Sequence, residues 1–160
     1  MLQPKQPKSP LTSIFAAWIL AGTLDISTAF VMVAISGKNP LLVGNYIASA
    51  VFGRADAYAG GMPMIIAGLL FHYLIAFIFT VIFFLLYPKI YPVIKNKFVA
   101  GILYGLFVWC IMNLLVVPLT RIPARPFSIV NAVENIAILM LAIGLPVSLI
   151  AYHYYFGKEK

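Results

Sequence analysis

Four apolar runs, residues 11–36, 63–87, 98–118 and 128–155, constrain this chain more than any other feature. At a helical rise of about 1.5 Å per residue, each is long enough to cross the roughly 30 Å hydrocarbon core of a bilayer. Backbone N–H and C=O groups in hydrocarbon must be paired within the chain, so spans of this kind are helices. The expected fold is all-α: a polytopic membrane protein with four transmembrane helices, in one domain over residues 1–160. A soluble alternative would have to cover these runs with almost no polar surface. The chain is 63% hydrophobic and only 9% charged, far outside soluble usage.

Prolines punctuate the runs where a helix tolerates them. Pro10, Pro63 and Pro126 stand before or at span starts, where a missing N–H costs least. Pro146 lies inside the last span and should kink it near its inner end. The connection "GKNPLLVGNYIASAVFGRADAYAGG" (37–61) is too apolar for a solvated loop and too short to cross twice. Its middle, 41–52, is expected to form an interfacial or a re-entrant helix, closed at Gly53 with Arg54 and Asp56 beyond it. An Arg54–Asp56 pair would let the segment dip toward the helices.

The net charge of +7 comes from basic residues at the ends and in connections. It does not form a basic face interleaved with aromatics, so a nucleic-acid partner is not expected. The partner it suits is the lipid bilayer, through topology control and anionic headgroups. With Lys5, Lys8, Lys89, Lys95, Lys97, Lys158 and Lys160 inside, four basic residues, Lys38, Arg54, Arg121 and Arg125, remain outside. That bias places both termini in the cytoplasm. The apolar run after the basic N-terminus is too long for a signal-peptide core and is read as a helix. Cys110, the single cysteine, excludes an internal disulfide and a thiolate metal cluster.

Polar side chains inside the spans are few. Asp25, in "GTLDISTAF", is the one ionisable group between Leu11 and Ser36. An Asp at a span centre costs roughly 2.5 to 3.5 kcal/mol, so it should face protein or water and have a partner. Counting along the helical rise, Asp25 lies about 16 Å from the outer end of its span, His72 about 14 Å, Asn113 about 8 Å and Glu134 about 9 Å. All four fall in the outer half. Asn131, Glu134 and Asn135 cluster within about one turn near the N-terminus of the last span, whose dipole favours a negative charge. There Glu134 serves either as a cap or as part of a binding site. His72 is either a hydrogen-bonded core residue or, with Asp25, a proton or cation site.

Catalytic and cofactor signatures are missing. Neither a nucleophile elbow, a phosphate-cradling loop nor an H-E-x-x-H is present, so no enzyme is expected. Haem is excluded because His153 lies at the opposite end from His72, and a di-metal carboxylate site would need Glu-x-x-His pairs. "GILYG" sets Gly101 and Gly105 on one helix face, for close packing within the chain or in a homo-oligomer.

From Lys97 onward, "KFVAGILYGLFVWCIMNLLVVPL" and "PFSIVNAVENI" resemble the C-terminal half of the uncharacterised YagU-like bacterial inner-membrane proteins. The likeness rests on Ala100–Gly101, Pro118–Leu119, a Pro-rich turn and Glu134 early in the last helix. It implies a small protein of the bacterial inner membrane and brings no established activity. Two functional expectations follow. In the first, Asp25, His72, Asn113, Asn131, Glu134, Asn135, Arg54 and Asp56 build a polar intramembrane site that binds or moves a proton, cation or small polar solute. In the second, the chain is a non-catalytic subunit or scaffold that docks partner helices.

Overall fold

The computed structural model describes residues 9–123 and 126–157. Helix α1 (Pro10–Ile35) begins where the Ser9 hydroxyl accepts a hydrogen bond from the Thr12 N–H at 3.1 Å. Two short helices follow, α2 (Leu42–Phe52) and α3 (Arg54–Ala59), separated by Gly53 at φ 82°. Helix α4 (Gly61–Ile94) ends at Lys95, which adopts a left-handed φ of 54°. Asn96 immediately caps α5 (Lys97–Cys110), accepting from the N–H groups of Phe98 and Val99. The α5 span continues through a π-helical stretch, Ile111–Val116, to a 3₁₀ turn ending at Leu119. Ser128 caps α6 (Ile129–Leu139), and a second π-helical stretch, Met140–Gly144, leads into α7 (Leu145–Phe156).

Four helical spans, Pro10–Ile35, Gly61–Ile94, Lys97–Leu119 and Ile129–Phe156, are long and apolar enough to cross a membrane. The second corrects the expected boundary: it runs past Tyr87 to Ile94 with Pro88 and Pro92 inside it. Proline leaves the carbonyl four residues earlier without its helical donor. For Pro88 that carbonyl is Phe84, and the Tyr155 hydroxyl donates to it at 2.9 Å. The helix continues because α7 supplies the missing donor.

Pro146 acts through a related device. Each π-helical stretch ends two residues before a proline, Val116 before Pro118 and Gly144 before Pro146. A widened turn accommodates a ring that a regular turn would exclude.

Side chains and backbones pack most tightly at the end of the bundle near Lys95. There Ala17 and Ala21 of α1, Phe83, Phe84 and Tyr87 of α4, Ala100, Tyr104 and Val108 of α5, and Val147 and Ala151 of α7 form one buried core. The Tyr104 hydroxyl donates to the Phe79 carbonyl, tying α5 to α4. Gly101 meets Gly144 backbone to backbone, and a Cβ on Gly105 would lie 2.4 Å from the Met140 Cα. The Gly101/Gly105 pair therefore serves contact between the third and fourth spans of one chain. On the other side, Trp18 Nε1–H donates to the Tyr73 carbonyl at 2.7 Å, and the Thr23 and Tyr73 hydroxyls lie 3.0 Å apart, fastening α1 to α4.

At the opposite end α2 rests on α4, with Val43, Gly44, Asn45, Ala48 and Ser49 buried. A Cβ on Gly68 would stand 2.0 Å from the Gly44 carbonyl oxygen. Asn45 Nδ2 donates to the Ala57 carbonyl at 2.7 Å, and the Arg121 N–H to the Ala50 carbonyl at 3.0 Å. These bonds draw α3 and the chain after the third span onto α2.

Candidate functional site: a polar cleft beside α2

The packing is asymmetric. Where the core closes the Lys95 end, the spans at the α2 end part around a cavity of about 790 Å³. Its walls come from α1, α2, α4 and both π-containing spans, and include Ile26, Ile47, Phe79, Trp109 and Met112. A second cavity of about 710 Å³ continues outward, lined by Ser36, Lys38, Arg54, Tyr58 and Glu134. The two share Asp25, Ala29, Val43, Tyr46, Asn131, Asn135 and Ile138, so they form one cleft.

Asp25 and His72 face each other at its floor. Asp25 lies ten residues from Ile35 and His72 eleven from Gly61, so both sit about 15 Å below the helix ends, at one level. His72 Nδ1 lies 3.9 Å from Asp25 Oδ2, with side chains 11% and 22% exposed respectively. The other ring nitrogen, Nε2, lies 2.8 Å from the Gly22 carbonyl oxygen. A carbonyl only accepts, so Nε2 carries the proton, and in the neutral imidazole Nδ1 presents a lone pair. The pair is thus a fixed ring whose basic nitrogen is turned toward a carboxylate. Small residues make this possible: the backbone at Gly22 lies against Tyr73, which stacks edge-on to His72 with ring centres 5.3 Å apart.

The expected asparagines reach the same space by different routes. Asn113 stands on the first π-helical stretch, and its Nδ2 donates to the Trp109 carbonyl at 3.1 Å. Asn135 Nδ2 donates to the Asn131 carbonyl at 2.6 Å, leaving its side-chain oxygen available. Ser128 fills the capping role at the start of α6, and Glu134 lines the outer cavity instead.

Two expectations need correction. Arg54 does not pair with Asp56: its guanidinium lies over the Tyr58 ring, 5.7 Å from the centroid. Asp56 falls in the first turn of α3, on its exposed side, and lines neither cavity. A turn starting at Gly53 sends residues 54 and 56 to different faces of a one-and-a-half-turn helix, so Arg54 enters the cleft without Asp56. His72–Asp25 is the one approach within 4.0 Å of a basic side chain to a carboxylate among the described residues. Lys5, Lys8, Arg125, Lys158 and Lys160 lie outside the described residues.

The sequence also concealed contributors. Tyr46 lines both cavities and Trp109 the deeper one, yet in an apolar run an aromatic facing a cleft is written no differently from one facing lipid. Lys38 and Tyr58 at the outer rim were legible only as a topology charge and a connection residue.

Fold and cleft together define a class: a four-span helical bundle of membrane-crossing length and hydropathy, closed at one end and parted at the other around a mostly apolar cleft that carries Asp25, His72 and three asparagines. No protein-family model, curated protein or solved structure matches the chain.

Proposed function

We propose that the chain is a non-catalytic membrane protein whose cleft binds a proton, a cation or a small polar solute, as a step in its uptake or movement. The supporting observation is the His72–Asp25 pair. Nδ1 and Oδ2 both accept hydrogen bonds, and they face each other at 3.9 Å. One proton between them would convert a repulsive contact into a charge-assisted hydrogen bond of about 2.7–2.9 Å. Asn113, Asn131 and Asn135 line the space above and offer neutral donors and acceptors to a solute, with Glu134 and Arg54 nearer the rim.

On this proposal the resemblance of the C-terminal half to YagU-like proteins supports a location in the bacterial inner membrane. The lysine bias read from the sequence then supports both termini in the cytoplasm, with the cleft opening outward. Packing at the closed end opposes a continuous hydrophilic path through one chain, so movement of a solute would require that end to open.

The test is proton uptake on acidification by the purified full-length chain in nanodiscs, compared with Asp25→Asn. The wild type should take up the shared proton in a step that Asp25→Asn displaces along the pH axis. Coincident uptake curves for the two folded proteins would overturn the reading. The scaffold alternative instead expects a constant stoichiometric partner on gentle extraction, and complex loss in Asp25→Asn.

A further inference from the structure

Resting on the reading of the cleft as a binding site, we infer its ligand class: an amphipathic organic cation, a protonated amine carried on an apolar body. Asp25 makes no hydrogen bond among the described residues, and the ring nitrogen facing it is the one without a proton. When no proton is shared with His72, a carboxylate in a half-buried position therefore lacks a donor. Such a group is costly unless a charged donor joins it.

The rest of the lining selects what carries that donor. An inorganic divalent cation asks for several oxygen or nitrogen ligands. Among the described residues no group of three His, Cys, Asp or Glu side chains gathers anywhere. The cleft floor instead surrounds one carboxylate with Ile26, Ile47, Phe79, Trp109 and Met112, a surface for an apolar body. Its volume of about 790 Å³ is that of a small-molecule site, far more than a proton or bare ion uses. Lys38 and Arg54 outnumber Glu134 at the rim, and this net positive charge opposes approach by a hydrated cation from water. A lipophilic amine concentrates in the bilayer and reaches a cleft between spans without crossing that rim.

The ammonium needs Asp25 ionised. Where the His72–Asp25 pair holds a proton, binding the amine releases that proton to water, and the amine's own N–H groups replace it on Oδ2. Charge is conserved, one positive charge arriving as one leaves.

Isothermal titration of the full-length chain in zwitterionic nanodiscs, with empty nanodiscs subtracted, tests this with 4-phenylbutylamine as its ammonium salt against 4-phenylbutanol. The ammonium should bind at least about 10-fold tighter than the alcohol, equivalent to about 1.4 kcal/mol. Asp25→Asn should remove that preference, and Asp25→Glu should keep it. Equal affinity of the wild type for the two compounds, or an unchanged preference in Asp25→Asn, overturns the inference. The wild-type comparison decides even where a variant fails to fold. Normal proton uptake without amine preference would leave the proton site standing and remove only this ligand class; loss of both would remove the site itself.

Discussion

A methyl group placed on Gly144 would stand 2.0 Å from the carbonyl oxygen of Gly101. No side chain can yield there, because the obstacle is backbone on a facing helix. The third and fourth spans are thus held at a separation that glycine alone permits, and the closed end of the bundle depends on it.

Gly144→Ala is accordingly expected to destabilise the protein by about 1–3 kcal/mol or more, the range for overpacking a tight contact. Thermal unfolding in detergent measures this, with Leu141→Ala as the neighbouring control, since Leu141 is 63% exposed on the outside of the bundle. An unchanged midpoint in Gly144→Ala would mean that the spans do not meet at these glycines.

The Tyr155 bond to the Phe84 carbonyl makes a conditional expectation. Tyr155→Phe should cost about 1 kcal/mol, because Pro88 leaves that carbonyl without a helical donor. In a Pro88→Ala background the alanine N–H takes the carbonyl, and the same change should cost less than half as much. A double-mutant cycle reads the difference. Equal costs in both backgrounds would show that the hydroxyl does not compensate for the proline.

Water in the cleft can be distinguished from lipid on the outside. After Cys110→Ser, cysteines at Asn135 and Glu134 should react with a membrane-impermeant thiol reagent applied from the cleft side. A cysteine at Leu70, 65% exposed on the outer face of α4, should not. Reaction at all three positions, or at Leu70 alone, would contradict a wet cleft in an apolar surround.

How much of this could be read from residues alone differs by level. The four spans were legible because hydrocarbon demands long apolar runs, and their ends fell within a residue or so wherever a Ser or Asn cap marked them, as at Ser9, Asn96 and Ser128. The second span escaped this rule. Pro88 reads as a stop signal, and nothing local announces that Tyr155, sixty-seven residues on, supplies the missing donor. Asp25 and His72 could be paired by depth, because a buried acid needs company and few candidates share its level. The Arg54–Asp56 pairing failed on a register set by Gly53, which depends on a backbone angle rather than on charge. Tyr46 and Trp109 could not be assigned, since only tertiary packing decides whether an aromatic in an apolar helix faces solute or lipid.

Orientation is the part of the proposal closest to a simple assay. A reporter fused after Lys160 should register as cytoplasmic, in keeping with Lys89, Lys95 and Lys97 at the closed end. A periplasmic signal would turn the cleft to face the cell interior.

The central claim, that His72 is fixed with its basic nitrogen toward Asp25, is most directly tested by ¹⁵N spectroscopy of the histidine-labelled chain in lipid. With two histidines in the sequence, a His72→Gln variant assigns the signals. At alkaline pH His72 is expected as the Nε2–H tautomer, and on acidification its Nδ1 should gain a proton in a step that Asp25→Asn measurably displaces. A neutral ring found as the Nδ1–H tautomer, or a titration indifferent to Asp25→Asn, would contradict the arrangement on which the site is built.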